Sequence, residues 1–202
     1  YDPWVDHSMM FRLKLAIASA LVFSKWRAAI GGSIRFIVSG SAPLHPDLAR
    51  VFIAAGLPIV QGYGLTETSP VVTVNRKDRN KLGSTGLPID HVEVKIASDG
   101  EILVKGPNVM KEFFNAPDKT AEVFEDGWFK TGDIGYLDSD GYLFITDRKK
   151  DLIKKSSGKF IAPGPIEADL RTSRYIEHAA VIGEARKFAI AILFPKFDNL
   201  KA

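Results

Sequence analysis

Apolar residues recur at spacings of three and four through Met10, Leu13, Ile17 and Leu21, which predicts one amphipathic helix from Met9 to Ile30, stopped by Gly31-Gly32. A β-rich run from Ile34 to Val38 follows, and Ser39-Gly40-Ser41-Ala42-Pro43 then turns the chain. The next helix opens at Pro46-Asp47 and closes at Gly56, with proline and an acid in its first turn and glycine past its end. Ile59-Val60 reads as another strand. Strand, helix and strand in so short a span predict a parallel α/β unit. Ligands of such sheets collect beyond the carboxyl ends of the strands, so the small-residue loops Gly40 to Pro43 and Gly62 to Thr66 are expected to line one crevice.

Beyond Pro70 the period falls to two. Val92, Val94 and Ile96 alternate up to Ser98-Asp99-Gly100, and Ile102 and Val104 alternate away from it. Ile134 and Tyr136 are set to meet Tyr142 and Phe144 across Asp138 to Gly141. Between these hairpins Pro117 to Phe124 reads as one or two helical turns and Glu125-Asp126-Gly127 as a turn. This is a small β subdomain. From Arg148 to Lys155 a basic run with an aspartate and two apolar residues inside it reads as an exposed strand, followed by a helix near Pro165 to Thr172 and strand-like runs from Ala179 to Ile182 and Phe188 to Phe194.

Composition narrows the function classes. A chain of 202 residues, 46% hydrophobic and 10% aromatic, is long enough to bury a core. Its formal charge of +3 permits anionic ligands without implying nucleic acid. No cysteine is present, and His7, His45, His91 and His178 are too far apart in sequence for local metal-ligand spacing, so thiolate zinc sites and disulfides are excluded and a cytoplasmic setting is expected. The run from Leu15 to Phe23 is far short of the roughly 20 residues a helix needs to span a bilayer. Arg12, Lys14, Lys25 and Arg27 on the first helix leave a peripheral membrane contact open. A chain opening on Tyr1 reads as a segment of something longer.

The densest chemistry lies in Gln61 to Pro70, Gln-Gly-Tyr-Gly-Leu-Thr-Glu-Thr-Ser-Pro. Gly62 and Gly64 let backbone approach a ligand, Tyr63 offers a face for a base, Thr66 a donor for a phosphate oxygen, and Glu67 a carboxylate for a magnesium ion shared with phosphate. The plain alternative is a strand leaving through a glycine turn, with Thr66 capping a short helix.

Three stretches together settle a resemblance. Ser39 to Leu44 (Ser-Gly-Ser-Ala-Pro-Leu), Gln61 to Pro70, and Gly127 to Glu167 (Gly-Trp-Phe-Lys-Thr-Gly-Asp-Ile-Gly, Asp-Arg-Lys-Lys-Asp-Leu-Ile-Lys, Ile-Ala-Pro-Gly-Pro-Ile-Glu) closely resemble the adenylate-forming superfamily of acyl-CoA synthetases, luciferases and peptide-synthetase adenylation domains. The form of the last stretch, with Lys-Phe-Ile-Ala-Pro after the glycine, is most similar to long-chain fatty acyl-CoA synthetases. The resemblance implies an α/β fold. Residues 1–147 would belong to the large N-terminal domain, holding the parallel α/β unit and the small β subdomain, and 148–202 would begin a smaller α+β C-terminal lid domain.

It also implies roles. The loop Gly40-Ser41-Ala42 would lie against adenine, with Tyr63 stacked on the base and Gln61, Gly62 and Gly64 shaping the same slot. Thr66 would contact the α-phosphate, Glu67 would hold magnesium, and Asp133 would accept from both ribose hydroxyls. Arg148 would serve the ribose and phosphate side, Lys150 the hinge, and Lys154 the second half-reaction. ATP or AMP, Mg2+ and coenzyme A are the implied cofactors and substrates, a fatty acid the implied acid, and no obligate protein partner is evident. Two parts of the superfamily pattern have no counterpart: the Ser/Thr/Gly-rich phosphate loop upstream and the catalytic lysine near the end of the C-terminal domain. The resemblance therefore implies an internal fragment of a synthetase, inactive alone. Ser157-Gly158 stands where relatives carry two glycines beside the pantetheine tunnel, and Ser157→Gly is expected to speed thioester formation if the hydroxymethyl group narrows it. A non-catalytic adenylate-binding module and a peptide-synthetase adenylation domain are the competing readings.

Overall fold

Strand β1 (Ile37–Ser39) enters helix α3 (Pro46–Ala54), and the chain returns as β2 (Ile59–Tyr63), parallel to β1 with Ile37 opposite Ile59 and Ser39 opposite Gln61. The predicted parallel unit is thus present in this computed structural model, which describes residues 5–158 and 160–200. Pro46 occupies the first turn of α3 and the His45 Nδ1 accepts the Asp47 N–H at 3.2 Å. Ala49, Ala55, Leu57, Ile59, Val60 and Val72 are buried, which fixes α3 against the sheet. Short strands β3 (Thr73–Val74) and β4 (Leu87–Pro88) continue it antiparallel, in the order β1-β2-β3-β4.

The chain divides into two compact units, one of residues up to 92 with 107–110 and 139–143, the other of 93–106, 111–138 and 144 onward. In the first, the N-terminal helix forms as α1 (Met9–Ala18) and α2 (Ser24–Ala29), joined by a π-helical turn at Ser19–Phe23. Ser8 caps it by accepting the Phe11 N–H. The apolar stripe is uncovered: Met10, Leu13, Ile17 and Leu21 are 52–64% exposed. The opposite flank is tethered instead, through Arg27, whose guanidinium donates to Ala55 O at 2.6 Å and Ser19 Oγ at 3.3 Å.

The second unit is built on a sheet of β5 (Glu93–Ile96), β6 (Glu101–Lys105), β7 (Phe124–Glu125), β8 (Trp128–Leu137) and β9 (Leu143–Arg148), with β8 bonded to β6, β7 and β9. Ile102, Leu103, Val104 and Phe129 form its core. The short helix α4 (Pro117–Val123) precedes β7, and Asp126-Gly127, both at positive φ, close the two-residue turn into β8 as the hairpin rule requires. Tyr136 and Phe144 stack with centroids 5.0 Å apart, as their alternation predicted.

The basic run is not one exposed strand. Lys149–Asp151 form a 3-10 turn, Leu152 follows, and only Ile153–Lys154 make β10, paired with β11 (Phe160–Ile161). Two carboxylates draw Lys149 out of an extended path. Helix α5 (Pro163–Leu170), the hairpin of β12 (Ile176–Ile182) and β13 (Ile190–Pro195), and α6 (Phe197–Leu200) complete the unit. Asp147 begins this part by accepting from Arg148 N–H at 2.8 Å and from Gly164 N–H at 3.1 Å, and Glu167 accepts the Val181 N–H at 2.8 Å. Lys159, part of the third sequence stretch, lies outside the described residues.

Candidate functional site

In the first unit the sequence motif begins inside β2. Gln61, Gly62 and Tyr63 are strand residues: Gln61 pairs with Ser39 of β1, and Gly62 and Tyr63 pair with Val74 and Thr73 of β3. The predicted loop from Gly62 therefore starts two residues later, because β3 supplies partners for their backbone groups. The carboxyl ends of β1 and β2 lie side by side: a methyl placed on Gly40 would stand 3.8 Å from Gly62 O. Ser41 next to it holds φ at +63°, a conformation that residues with side chains seldom adopt.

Gly64 is where the chain doubles back. A Cβ there would fall 1.6 Å from Pro70 O, so only glycine lets the backbone of Pro70 cross it. Val72 N–H then closes the loop on Tyr63 O at 2.8 Å. Inside the loop Thr66–Thr68 form a 3-10 turn. Thr66 does not cap it. Leu65 is the cap residue, and the fully buried Thr68 hydroxyl accepts the Leu65 N–H at 2.9 Å and sits 3.0 and 3.1 Å from the Leu65 and Pro70 carbonyls. A cap of this kind works from the third position back, which leaves the exposed Thr66 side chain available to a ligand.

Residues 107–110 lock this turn from outside. Asn108 Nδ2 donates to Thr68 O at 3.0 Å and Val71 O at 2.7 Å, and Met110 N–H donates to Glu67 O at 2.7 Å. Asn108 Oδ1 is buried and accepts no hydrogen bond among the described residues. The backbone of Glu67 is thus fixed while its side chain remains half-buried. Among the described residues no three His, Cys, Asp or Glu side chains gather as an ion site. A single carboxylate fits magnesium only when phosphate oxygens and water complete the shell, which is how that ion is commonly held.

In the second unit Asp133 lies inside β8, not in a turn. Between the pairs Glu101–Ile134 and Leu103–Lys130, three residues, Thr131 to Asp133, face the single residue Ile102. This bulge is admitted by Gly132 at φ +73° and turns the strand locally, re-aiming its side chains. Thr131 Oγ1 donates to Ile102 O at 2.8 Å and accepts the Asp133 N–H at 3.1 Å. Asp133 is 6% exposed, and Arg148 Nε stands 3.5 Å from its Oδ1.

Next to this pair is a charge cluster. Glu101, 4% exposed, accepts the Gly132 N–H on Oε1 at 2.9 Å and the Lys149 ammonium on Oε2 at 2.6 Å, and Lys149 also meets Asp99 Oδ2 at 2.7 Å. The hydrogen bond from Lys149 holds the Asp99 carboxyl below its ordinary range, and the bonds to Asp99 and then Glu101 hold the Lys149 ammonium above its own. Lys150 and Lys154 are exposed; the Lys154 N–H donates to Glu184 Oε2 at 2.9 Å and its ammonium lies 5.8 Å from the Phe160 ring centroid.

Residues 8–114 match the model of the AMP-binding enzymes, and residues 150–201 that of the AMP-binding enzyme C-terminal domain. The chain belongs to the AMP-binding enzyme family. Within that family it is 43% identical over 185 residues to a long-chain-fatty-acid–CoA ligase of Mycobacterium bovis, covering 92% of this chain and 31% of that protein. It is 38% identical to a feruloyl-CoA synthase of Amycolatopsis, covering 87% and 38%. Among solved structures, O-succinylbenzoate coenzyme A synthetase from Bacillus subtilis in complex with ATP and magnesium is similar with a TM-score of 0.73 at 38% identity, over 81% of this chain and 37% of that one. The chain spans about a third of the length of these AMP-binding enzymes.

Of the residues singled out in the sequence, Gly40, Ser41, Ala42, Gln61, Gly62, Tyr63, Gly64, Thr66 and Glu67 fall in the first unit, and Asp133, Arg148, Lys150 and Lys154 in the second. Four supporting residues were not foreseen: Thr68, Asn108, Glu101 and Lys149. Thr68 was legible in principle, as a hydroxyl three residues past Leu65. The other three act over separations of 31 to 48 residues, and no local spacing marks them.

Proposed function

We propose that this chain carries the adenine, ribose and magnesium portion of an ATP-dependent acid–CoA ligase whose acid is a long-chain fatty acid. The carboxylate attacks the α-phosphorus of ATP and pyrophosphate leaves; the thiol sulfur of coenzyme A then attacks the acyl carbon and AMP leaves. No protein nucleophile takes part, so the chain's contribution is positioning and stabilisation of developing charge. Gly40, Ser41 and Ala42 line adenine with Gln61, Gly62 and Gly64, Tyr63 stacks on it, and Thr66 donates to the α-phosphate. Glu67 holds magnesium, which when bound offsets phosphate charge. Asp133 accepts from the ribose hydroxyls with Arg148 beside it, and Lys154 serves thioester formation, where Ser157 narrows the approach of the thiol. The domain boundary falls between 147 and 148, with the hinge at Lys150. Chemistry belongs to a polypeptide of the relatives' full length, placed in the cytoplasm with a peripheral membrane contact.

The observation that carries this reading is the pairing of two parallel strand ends, with small residues at Gly40 and Gly62 and a tyrosine beside them, in a chain of the AMP-binding enzyme family. Small residues and one flat ring are what a purine slot requires. Fatty acid is supported by the 43% identity to a long-chain ligase; feruloyl-CoA synthase at 38% makes an aromatic acid the competitor. Calorimetry of AMP should show at least about tenfold weaker binding for Tyr63→Ala and Asp133→Ala. Unchanged affinity in both variants removes the assignment. In the full-length polypeptide, pyrophosphate exchange should run faster with palmitate than with ferulate, and the reverse order rejects the fatty acid.

A further inference from the structure

We propose that Glu101, locked by Lys149, is the positioning residue that sets Asp133 for nucleotide, an inference that rests on the reading of Asp133 just given. Glu101 is almost fully buried and uses its two oxygens on two different segments: Oε1 on the Gly132 N–H at 2.9 Å, Oε2 on the Lys149 ammonium at 2.6 Å. Gly132 immediately precedes Asp133, and Lys149 immediately follows Arg148. One carboxylate therefore holds the Gly132 backbone on one side of the Asp133–Arg148 contact and the Lys149 side chain on the other, and that contact is 3.5 Å long and made by an arginine side chain that is 61% exposed.

The bulge explains why such a device is needed. With three residues facing one, the Gly132 N–H has lost its place in the ladder to β6. A half-buried donor left unpaired is unfavourable, and a glycine at positive φ is the softest point of the strand. The Glu101 carboxylate supplies the missing acceptor and pins that point, from a β6 residue that pairs with Ile134 at the edge of the bulge. Lys149 supplies the counter-charge without which the buried carboxylate would be costly to ionise. Neither residue reaches the nucleotide; both act through Asp133.

The test uses AMP titration of the 202-residue chain by calorimetry, with the Gly132 and Asp133 amide signals followed by NMR, so no turnover is required. Glu101→Ala should weaken AMP binding roughly ten- to a hundredfold and shift both amide signals before ligand is added. Glu101→Gln retains an acceptor for Gly132 and should recover most of the loss. Lys149→Met should fall between, and Lys149→Arg should restore binding. If Glu101→Ala fails to fold, the Gln and Met variants still decide the matter, since a merely structural role would lower stability without moving affinity in the folded protein. AMP affinity unchanged in these variants while Asp133→Ala loses it overturns the inference and leaves the site reading intact. No AMP binding by the unsubstituted chain, or equal binding by Asp133→Ala, overturns the site reading and the inference with it.

Discussion

The turn carrying Thr66 and Glu67 and the strand carrying Asp133 are held in place by opposite means. The first is fixed by neutral groups: backbone crossing backbone at Gly64, the buried Thr68 hydroxyl, and the Asn108 amide on two carbonyls. The second is fixed by charge, through Glu101, Lys149 and Asp99 around a bulge. Neutral sterics and hydrogen bonds are indifferent to salt and to pH across the physiological range, whereas ion pairs at partly exposed positions respond to both. A turn that must meet phosphate therefore keeps its geometry without spending charge of its own, leaving Glu67 for the ligand.

The sharpest way to break this contrast is at the glycines. Gly64→Ala forces a methyl onto Pro70 O, with the nearest atoms at 1.6 and 2.6 Å, all of it backbone that cannot yield without opening the loop. The expected loss is about 3 kcal/mol or more, read from the urea midpoint. Gly132→Ala in the charged region meets nothing within 4 Å and pays only for its φ of +73°, about 1–2 kcal/mol. Equal losses at the two positions would show that conformation rather than close approach governs both.

Next in size is Thr68→Val, which keeps the shape and removes the hydroxyl that accepts from Leu65. It should cost about 1–3 kcal/mol and show no dependence on salt. A loss that shrinks with added salt would place the neutral turn in the same class as the charged cluster.

How much of this could be read in advance follows from the range of each interaction. The parallel unit was legible because Pro46, Asp47 and Gly56 punctuate α3 locally and β-rich runs flank it. The hairpins were legible through alternation, down to Tyr136 against Phe144. Gly62 and Tyr63 read as loop because β3, only two residues long, gives no signal of its own that it will pair with them. Gly132-Asp133 has the local composition of a turn, as a bulge does; what places it in a strand is the segment of β6 around Glu101, 32 positions earlier. The first helix kept its period, yet the period predicts a face and not what covers it, and the stripe is exposed. The motif residues were accessible through family resemblance, while their supports, Asn108, Glu101 and Lys149, became visible only once distant segments met.

The smallest effect expected is also the cleanest probe of the charged region. Asp99→Asn keeps an oxygen to accept the Glu101 N–H, now at 3.1 Å, and removes only the charge facing Lys149. Both partners are about half exposed, so the pair should contribute less than about 1 kcal/mol at physiological salt. Its pH dependence has a definite sign. Asp99 is held below its ordinary value, so on acidification the unfolded chain takes up the proton first, and the pair's stabilisation is present above about pH 4 and lost below it. Lys149 is held above its ordinary value, so its share is present below about pH 10 and lost only as the pH rises past its folded value. Between these limits the pair adds a constant amount. Asp99→Asn should therefore lower the urea midpoint slightly and evenly from pH 5 to 9, flatten the acid limb below pH 4, and lose its effect in high salt. A variant that changes the slope near neutrality would mean that a group other than Asp99 or Lys149 carries the pH response of this region.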